Sequence, residues 1–245
     1  MNPPHPPLTD YYSQEADRAG WVRQLFDRTA VDYDRVERAM AFGSGSWYRR
    51  RALARAGLRP GMRVLDIGTG TGLTAREAAE LVGATGQVIG IDPSAGMMEH
   101  AQVPPGVQLL RGSAEEIPAL RGSTDFVSMG YALRHLADFG SAFREFLRVL
   151  VPGGRLCLLE ITSPGSRLRR AALKTYMRGV VPLMARCMSA HRDTPELMRY
   201  YWDTIEACAS PNAILEDLSK AGFEDVHRHV ELGIFSEYRA RKPLQ

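Results

Sequence analysis

The spacing of apolar positions changes character twice along the chain. From Asp10 to Leu58 it is helical: Trp21, Val22, Leu25 and Phe26 share one face, and Trp47, Leu53, Ala54 and Leu58 another, before an Arg59-Pro60-Gly61 turn. Past the turn, short apolar runs alternate with amphipathic ones. MRVLDIG (62–68), VIGID (88–92), VQLLRG (107–112), DFVSMG (125–130) and RLCLLEI (155–161) read as buried parallel strands. Helices are predicted between them over 72–82, 94–102 and 138–150, and the last leads into a Pro152-Gly153-Gly154 turn. Strictly alternating strand and helix predicts an α/β fold with a mostly parallel, Rossmann-like sheet.

Between Thr162 and Ser210 the alternation stops. Leu168 to Arg178, Val180 to Met188 and Pro195 to Cys208 are helical stretches rich in Met, Tyr and Arg, which predicts a helical lid inserted over 162–210. The alternation resumes with a helix over 212–223 closed by Gly222, then two strand-like runs around Gly233, an antiparallel hairpin at the sheet edge. Residues 1–9 carry four prolines and are expected to be an extended or disordered leader with no packing role. Residues 10–245 are then expected to form a single domain, with 10–58 as its helical cap.

Composition narrows the function. The chain has 245 residues, 44% hydrophobic and 24% charged, values at which a globular core forms. Its 31 Lys and Arg against 28 Asp and Glu leave +3, too small a surplus for an electrostatic footprint on nucleic acid. Cys157, Cys187 and Cys208 have neither metal-cage spacing nor an even count, so no metal site or disulfide framework is expected and a cytoplasmic setting is. The first residues lack the pattern of a secretory signal, and no apolar run nears the ~20 residues that span a bilayer.

The motif that carries chemistry is VLDIGTGTG (64–72), at the first strand-to-helix turn. Gly68, Gly70 and Gly72, with Thr69 and Thr71 between them, let the backbone turn sharply and a ligand press against it. A dinucleotide fingerprint needs a further glycine at position 73, where Leu73 stands, which disfavours NAD or FAD. Asp66 would place a carboxylate near the loop and favour a cationic ligand. Asp92, at the tip of the second strand, lies where a carboxylate accepts hydrogen bonds from two ribose hydroxyls. Pro93 and Met97 follow it. Ser113, Ala114 and Glu115 after the third strand would meet an adenine edge, and Gly130 and Tyr131 end the fourth at the same rim. Each piece alone has a plain structural reading, a tight turn or a helix cap such as Ser94. The set points to a nucleoside-like cofactor.

These residues resemble a class I S-adenosylmethionine-dependent methyltransferase, and more narrowly the ubiquinone/menaquinone biosynthesis C-methyltransferase family. The likeness runs through VRQLFDRTAVDYDRVERAMAFGSGSWYRR (22–50), the glycine motif, AEEIP, YALRH and FREFLRVLVPGGRLCLLEITSP, and resumes at 215–226. It implies S-adenosylmethionine as cofactor, with Tyr33 closing over its methionine end, Thr71 and its glycines on that part, Asp92 on the ribose and Ser113 with Ala114 on the adenine. Gly130 would line the methyl channel. The family's Arg-Asn pair is Arg134 and His135 here, and its Ile-Arg-Met-His-Pro stretch is replaced by Ile205 to Pro211. The second change falls in the expected lid and leaves the acceptor open.

Carbon methylation of a phenol or quinol requires loss of a hydroxyl proton, a task for an imidazole, so His135 is the candidate base and Arg134 the candidate stabiliser of the phenolate. A structural hydrogen bond for His135 and a pairing of Arg134 with Asp138 are the plain alternatives. Tyr176, Met184, Met188, His191, Tyr201 and Ile205 are the residues expected to shape a site for a hydrophobic small-molecule acceptor, against the plain reading of core packing. The basic run Arg167, Arg169, Arg170 and Lys174, with Arg49 to Arg51, suits either a solvated helix face or peripheral contact with an anionic membrane. A homo-oligomer is a further open state. An oxygen or nitrogen methyltransferase, a nicotinamide oxidoreductase and a non-catalytic cofactor- or lipid-binding regulator stand as competing functions.

Overall fold

The computed structural model describes residues 3–189 and 193–244. His191 lies outside them. The strands are β1 (Arg63–Ile67), β2 (Gln87–Asp92), β3 (Gln108–Arg111), β4 (Thr124–Gly130), β5 (Leu150–Ile161), β6 (Glu224–Glu231) and β7 (Phe235–Arg241). They form one sheet in the order β3-β2-β1-β4-β5-β7-β6. The first five are parallel, and β7 and β6 add antiparallel. The predicted strands are all present. The Pro152-Gly153-Gly154 turn is drawn into β5, where the register jumps between Thr124 and Phe126 of the neighbouring strand.

The cap consists of α1 (Glu15–Met40) and α2 (Gly45–Arg55). Three helices fill the crossovers: α3 (Leu73–Val82), α4 (Ala95–Glu99) and α5 (Phe139–Val149). The ends of α4 and α5 are fixed by side chains, because Ser94 accepts from the Met97 amide and Asp138 from the Ser141 amide. α4 stops at Glu99, short of the 102 its sequence predicts. The insertion is a continuous helical run, α6 (Arg167–Thr175), a π-helical turn (Tyr176–Val180) and α7 (Val181–Met188), followed by α8 (Thr194–Ala207). α9 (Pro211–Lys220) ends before Gly222, whose φ of +102° is a conformation L side chains rarely adopt.

Hydrophobic burial falls into three clusters. One face of the sheet packs on α5 and α9 through Phe139, Phe143, Phe146, Ile214 and Leu218. The other packs on α2 and α3 through Leu53, Ala75, Ala78 and Phe126. The third joins α1 to the inserted helices through Leu25, Val36, Val181, Leu197, Tyr200 and Trp202. This third core fastens the cap to the lid above the carboxyl ends of the parallel strands.

Two expectations need correction. The leader packs: His5 is buried and the Pro4 carbonyl accepts from the Ala209 amide at 2.7 Å, so the prolines extend the segment without freeing it. Trp47, read as a buried face residue of α2, is exposed, because α2 turns Tyr48, Ala52 and Leu53 to the core instead.

Candidate active site

Above the tips of β1, β2, β3 and β4 lies a cavity of about 340 Å³. Its floor is the glycine loop, Gly68, Thr69, Gly70 and Thr71, where the backbone carries φ values of +66° at Gly68 and +54° at Gly70. A Cβ on Gly68 would stand 2.6 Å from the Ala132 Cβ, and one on Gly130 2.2 Å from Thr74 Oγ1. The absence of side chains at these glycines therefore lets the loop and the end of β4 pack closely against their neighbours at the cavity rim. Gly72 is not in the wall. It starts α3 at φ +85°.

Asp92 reaches into the cavity wall. Its Oδ2 accepts from the Gly70 amide at 2.7 Å and its Oδ1 from the Ser94 amide at 2.8 Å. Each oxygen keeps a lone pair for a ligand hydroxyl. Burial pushes this carboxyl up to about 6, against the pull of those two amides. Pro93, Met97, Ser113, Ala114 and Glu115 line the same end, and the Glu115 carboxylate also accepts from the Ala137 amide at 2.8 Å. Asp66 is the correction here. It lies under the loop, outside the cavity wall, and accepts from Thr69 Oγ1 at 2.8 Å and Ser128 Oγ at 2.7 Å. Burial pushes it too up to about 6. Its role is to brace the turn, and its charge does not face a ligand.

The opposite end is aromatic. Tyr33, Tyr131, His135 and Tyr201 face the cavity together with Phe26. The Tyr201 hydroxyl donates to the Tyr33 hydroxyl at 2.7 Å. The His135 ring stacks on Tyr200 and Tyr201, with centroids 5.5 and 6.0 Å away, and takes the edge of Phe26 at 5.3 Å. Neither of its ring nitrogens has a hydrogen-bond partner. Burial, with the charges of Arg134 and Arg18 behind it, holds this imidazole well below its ordinary value of 6.5. It is neutral at physiological pH.

Arg134 is fully buried and does not line the cavity. Its guanidinium binds Glu160 at 2.5 Å, Thr204 Oγ1 at 3.1 Å and the Tyr131 carbonyl at 2.7 Å, and lies over the Tyr201 ring at 4.7 Å. It pairs with Glu160 and not with Asp138, which caps α5. Its contact with the acceptor oxygen is thereby replaced by a positioning role. Tyr131, held in place by this arginine, has φ +62°, a strained conformation for a residue with a Cβ and one often kept at functional rims.

Of the residues expected to meet the acceptor, Tyr201 lines the cavity and Tyr176, Met184, Met188 and Ile205 do not. Tyr176 spends its hydroxyl on the Met40 carbonyl at 2.9 Å, and Ile205 is buried in the cap-to-lid core. Tyr176 and Ile205 are core packing, and Met184 and Met188 are half-buried on α7 away from the cavity. What the sequence reading missed comes chiefly from α1, which contributes Glu15, Arg18, Ala19, Val22, Arg23 and Phe26 to the wall. Arg18 donates to the carbonyls of Arg134 (3.1 Å) and Leu136 (2.7 Å), so it fixes the turn that carries His135. Arg49 is also in the wall, buried, bound to Glu37 at 2.8 Å and placed over Tyr131, which removes it from any membrane-facing run.

α1 is clasped down by its own acids. Asp27 accepts from Ser94 Oγ at 2.5 Å and the Gly96 amide at 2.9 Å, Asp34 from Thr71 Oγ1 at 2.5 Å, and Asp32 from Ser189 Oγ. Among the described residues, His229, Glu231 and Glu237 have the spacing of a metal cluster. The Arg55 guanidinium already sits among them, 2.8 Å from His229 Nε2, 2.7 Å from Glu231 and 2.9 Å from Glu237.

Comparison with known proteins agrees with this geometry. Residues 12–242 match the profile of the ubiE/COQ5 methyltransferase family. The chain is 31% identical over 237 residues to the ubiquinone/menaquinone biosynthesis C-methyltransferase UbiE of Pseudomonas savastanoi pv. phaseolicola, covering 94% of this chain and 91% of that protein. It is 32% identical over 210 residues to the demethylmenaquinone methyltransferase of Lactococcus lactis, covering 82% and 81%. Among solved structures, a possible histamine N-methyltransferase from Thermotoga maritima superposes with a TM-score of 0.62 at 23% identity over 89% of this chain and 98% of that one. A putative methyltransferase from Methanococcus maripaludis gives 0.64 at 18% identity over 89% and 94%. These two establish the shared fold. The glycine cradle, the open lone pairs of Asp92 and the Ser113–Ala114 edge fit S-adenosylmethionine, and the chain belongs to the ubiE/COQ5 family of S-adenosylmethionine-dependent methyltransferases.

Proposed function

We propose that this enzyme methylates a ring carbon of a hydrophobic hydroxyaromatic acceptor of the quinol type. The observation that carries the reading is His135: an imidazole in the cavity wall, buried among aromatic rings, with both nitrogens unpartnered. An unpaired buried nitrogen costs about 1–3 kcal/mol, a cost removed when an acceptor hydroxyl donates to it. The rings of Phe26, Tyr33 and Tyr201 supply apolar walls for a flat acceptor. The two relatives named above, whose printed names place them in quinone biosynthesis, support the same class.

S-adenosylmethionine, when bound, supplies an electrophilic methyl group. What this chain's residues supply is placement, exclusion of water and control of the acceptor's proton. Asp92, Thr71 and Ala114 hold one end of the cavity for the cofactor. His135 takes the acceptor hydroxyl as a hydrogen-bond acceptor. Because Arg134 and Arg18 disfavour a charge on the imidazole, the same cations favour an anionic oxygen beside it, so ionisation of the acceptor is supported by the field as much as by the base. Tyr33 and Tyr201, whose hydroxyls are pushed up by burial, stay protonated and act as oriented dipoles.

The test is to incubate the purified enzyme with methyl-labelled S-adenosylmethionine and a reduced short-chain demethylated quinol, then locate the label by mass spectrometry and NMR. Label on a ring carbon is expected. Label on oxygen, or on the nitrogen of an amine acceptor with the quinol untouched, overturns the reading.

A further inference from the structure

A neutral imidazole has one bare nitrogen and one N–H. When the bare nitrogen of His135 takes the acceptor hydroxyl, the N–H needs an acceptor of its own, because a buried donor left unpaired is costly. The leader holds a matching group. The Pro4 carbonyl, bound to the Ala209 amide at 2.7 Å, pins the leader just past the end of α8, and the next residue, His5, is 3% exposed. His5 Nδ1 lies 2.7 Å from the Pro6 carbonyl. A carbonyl oxygen only accepts, so Nδ1 carries the proton and Nε2 is bare. That bare nitrogen is buried and has no partner. Burial lowers the His5 pKa, with the charges of Arg18 and Arg134 adding to it and the Pro6 bond and Glu15 opposing. His5 is thus a neutral acceptor of fixed direction.

The two histidines share a neighbourhood built around Arg18. Its Nη2 donates to the carbonyls of Arg134 and Leu136, which bracket His135, and its Nη1 donates to Glu15 at 2.9 Å. The charges of Arg18 and Arg134 act on both imidazoles, and a charge on His5 would act on His135. Two phenols complete the group. The Tyr200 ring stacks on His135 with centroids 5.5 Å apart and takes the edge of Tyr11, from the leader, at 5.2 Å. The hydroxyls of Tyr200 and Tyr12 are buried without partners, as are His5 Nε2 and both nitrogens of His135. Buried polar atoms almost always find a partner, so several orphans around one arginine call for a shared one. A water among them would have His135, His5 and a tyrosine hydroxyl to bind, within the two to four polar groups that hold a buried water.

We propose that His5 positions His135: through one buried water its bare Nε2 draws the imidazole N–H away from the cavity, which fixes the tautomer whose bare nitrogen faces the acceptor. The partner of one ring nitrogen decides which tautomer an imidazole adopts, and a misdirected proton disables the base without disturbing the fold. His5 lies outside the cavity wall and touches neither cofactor nor acceptor, so it is a positioning residue. It moves no proton; it decides which nitrogen of His135 is bare. Being neutral, it sets that direction without adding charge beside Arg134 and Arg18. The leader is then part of the site's back wall, and the inference rests on His135 as the acceptor's partner.

The tautomer can be read directly. In the full chain labelled with nitrogen-15 histidine, long-range proton–nitrogen NMR spectra at neutral pH should show His5 protonated at Nδ1 and His135 in a single tautomer, its signals assigned by their loss in His135→Gln. His5→Leu fills the same space without an acceptor. It should turn His135 into a mixture of tautomers and lower kcat on the short-chain quinol about 3- to 10-fold, the rate equivalent of one hydrogen bond, with S-adenosylhomocysteine affinity unchanged. His5→Asn, whose amide oxygen still accepts, should recover the single tautomer and most of the rate. An unchanged tautomer or an unchanged rate in His5→Leu overturns the proposal. The wild-type spectrum decides if that variant does not fold: two His135 tautomers, or a proton on His5 Nε2, overturn it as well. A wild type that leaves the quinol unmethylated while the His135 tautomer answers to His5 would count against the acceptor and leave the link between the histidines standing.

Discussion

His135 and Asp92 divide the chemistry between the two ends of the cavity, and each has its own pH signature. The imidazole is held well below 6.5 by burial and by Arg134 and Arg18, so it does not titrate near neutrality. Turnover should therefore show no acid limb at pH 6.5, and His135→Ala should lower kcat by about 10²- to 10⁴-fold while cofactor affinity, measured by calorimetry, stays unchanged. Asp92 titrates at about 6, above its ordinary 3.8, because burial penalises the charged form. The carboxylate is the form that accepts from two ribose hydroxyls. Affinity for S-adenosylhomocysteine should be flat above this value and fall by at most about tenfold per unit as pH drops below it. A constant affinity down to pH 5 would remove Asp92 from the ribose. Both residues were legible in the sequence, Asp92 from its place at a strand tip and His135 from its turn after β4. The neutrality of His135 was not, since it comes first from burial among rings of α1 and α8, and then from the charges of Arg134 and Arg18.

The elements that hold the site differ in how they respond to change. Gly68→Ala places a Cβ at φ +66° and 2.6 Å from Ala132, and should cost about 1–3 kcal/mol with weaker cofactor binding, read by thermal melts with and without ligand. Removing Glu160 leaves Arg134 buried and unpaired beneath Tyr131 and Tyr201. Glu160→Ala should cost about 3–5 kcal/mol by denaturant unfolding, whereas Glu145→Ala, which leaves Arg148 half-exposed, should cost about 1 kcal/mol or less. α1 was readable as a helix from Trp21, Val22, Leu25 and Phe26. That it covers the cofactor end was implied by the family resemblance through Tyr33 alone; the clasps that hold it there were not readable, because they are single carboxylates, Asp27, Asp32 and Asp34, whose partners lie on α4, the lid and the glycine loop. The inserted helices show the converse. Their Met and Tyr spacing suited both a substrate wall and a core; the core with α1 takes Tyr176, Tyr201 and Ile205, and of the described candidates Tyr201 alone also lines the cavity.

At the scale of the molecule, strand and helix alternation was fully legible, because a parallel sheet needs its apolar runs in sequence. Long-range closure was not: the leader's bond to Ala209 and the exposure of Trp47 depend on packing angles that no local period records. The result is a sheet whose carboxyl edge is roofed by α1 and α8, with cofactor groups toward β2 and β3 and aromatic groups toward β4 and the lid. The roof makes cofactor exchange depend on α1, so Asp27→Ala should speed release of S-adenosylhomocysteine by about 5- to 30-fold in stopped flow, at about 1–2 kcal/mol for the lost bonds. The most direct measurement is calorimetric titration of S-adenosylhomocysteine into the wild type and Asp92→Ala. The geometry predicts one saturable site in the wild type and at least a hundredfold weaker binding in the variant. No heat in the wild type, or equal affinity in both, would contradict the assignment of this cavity.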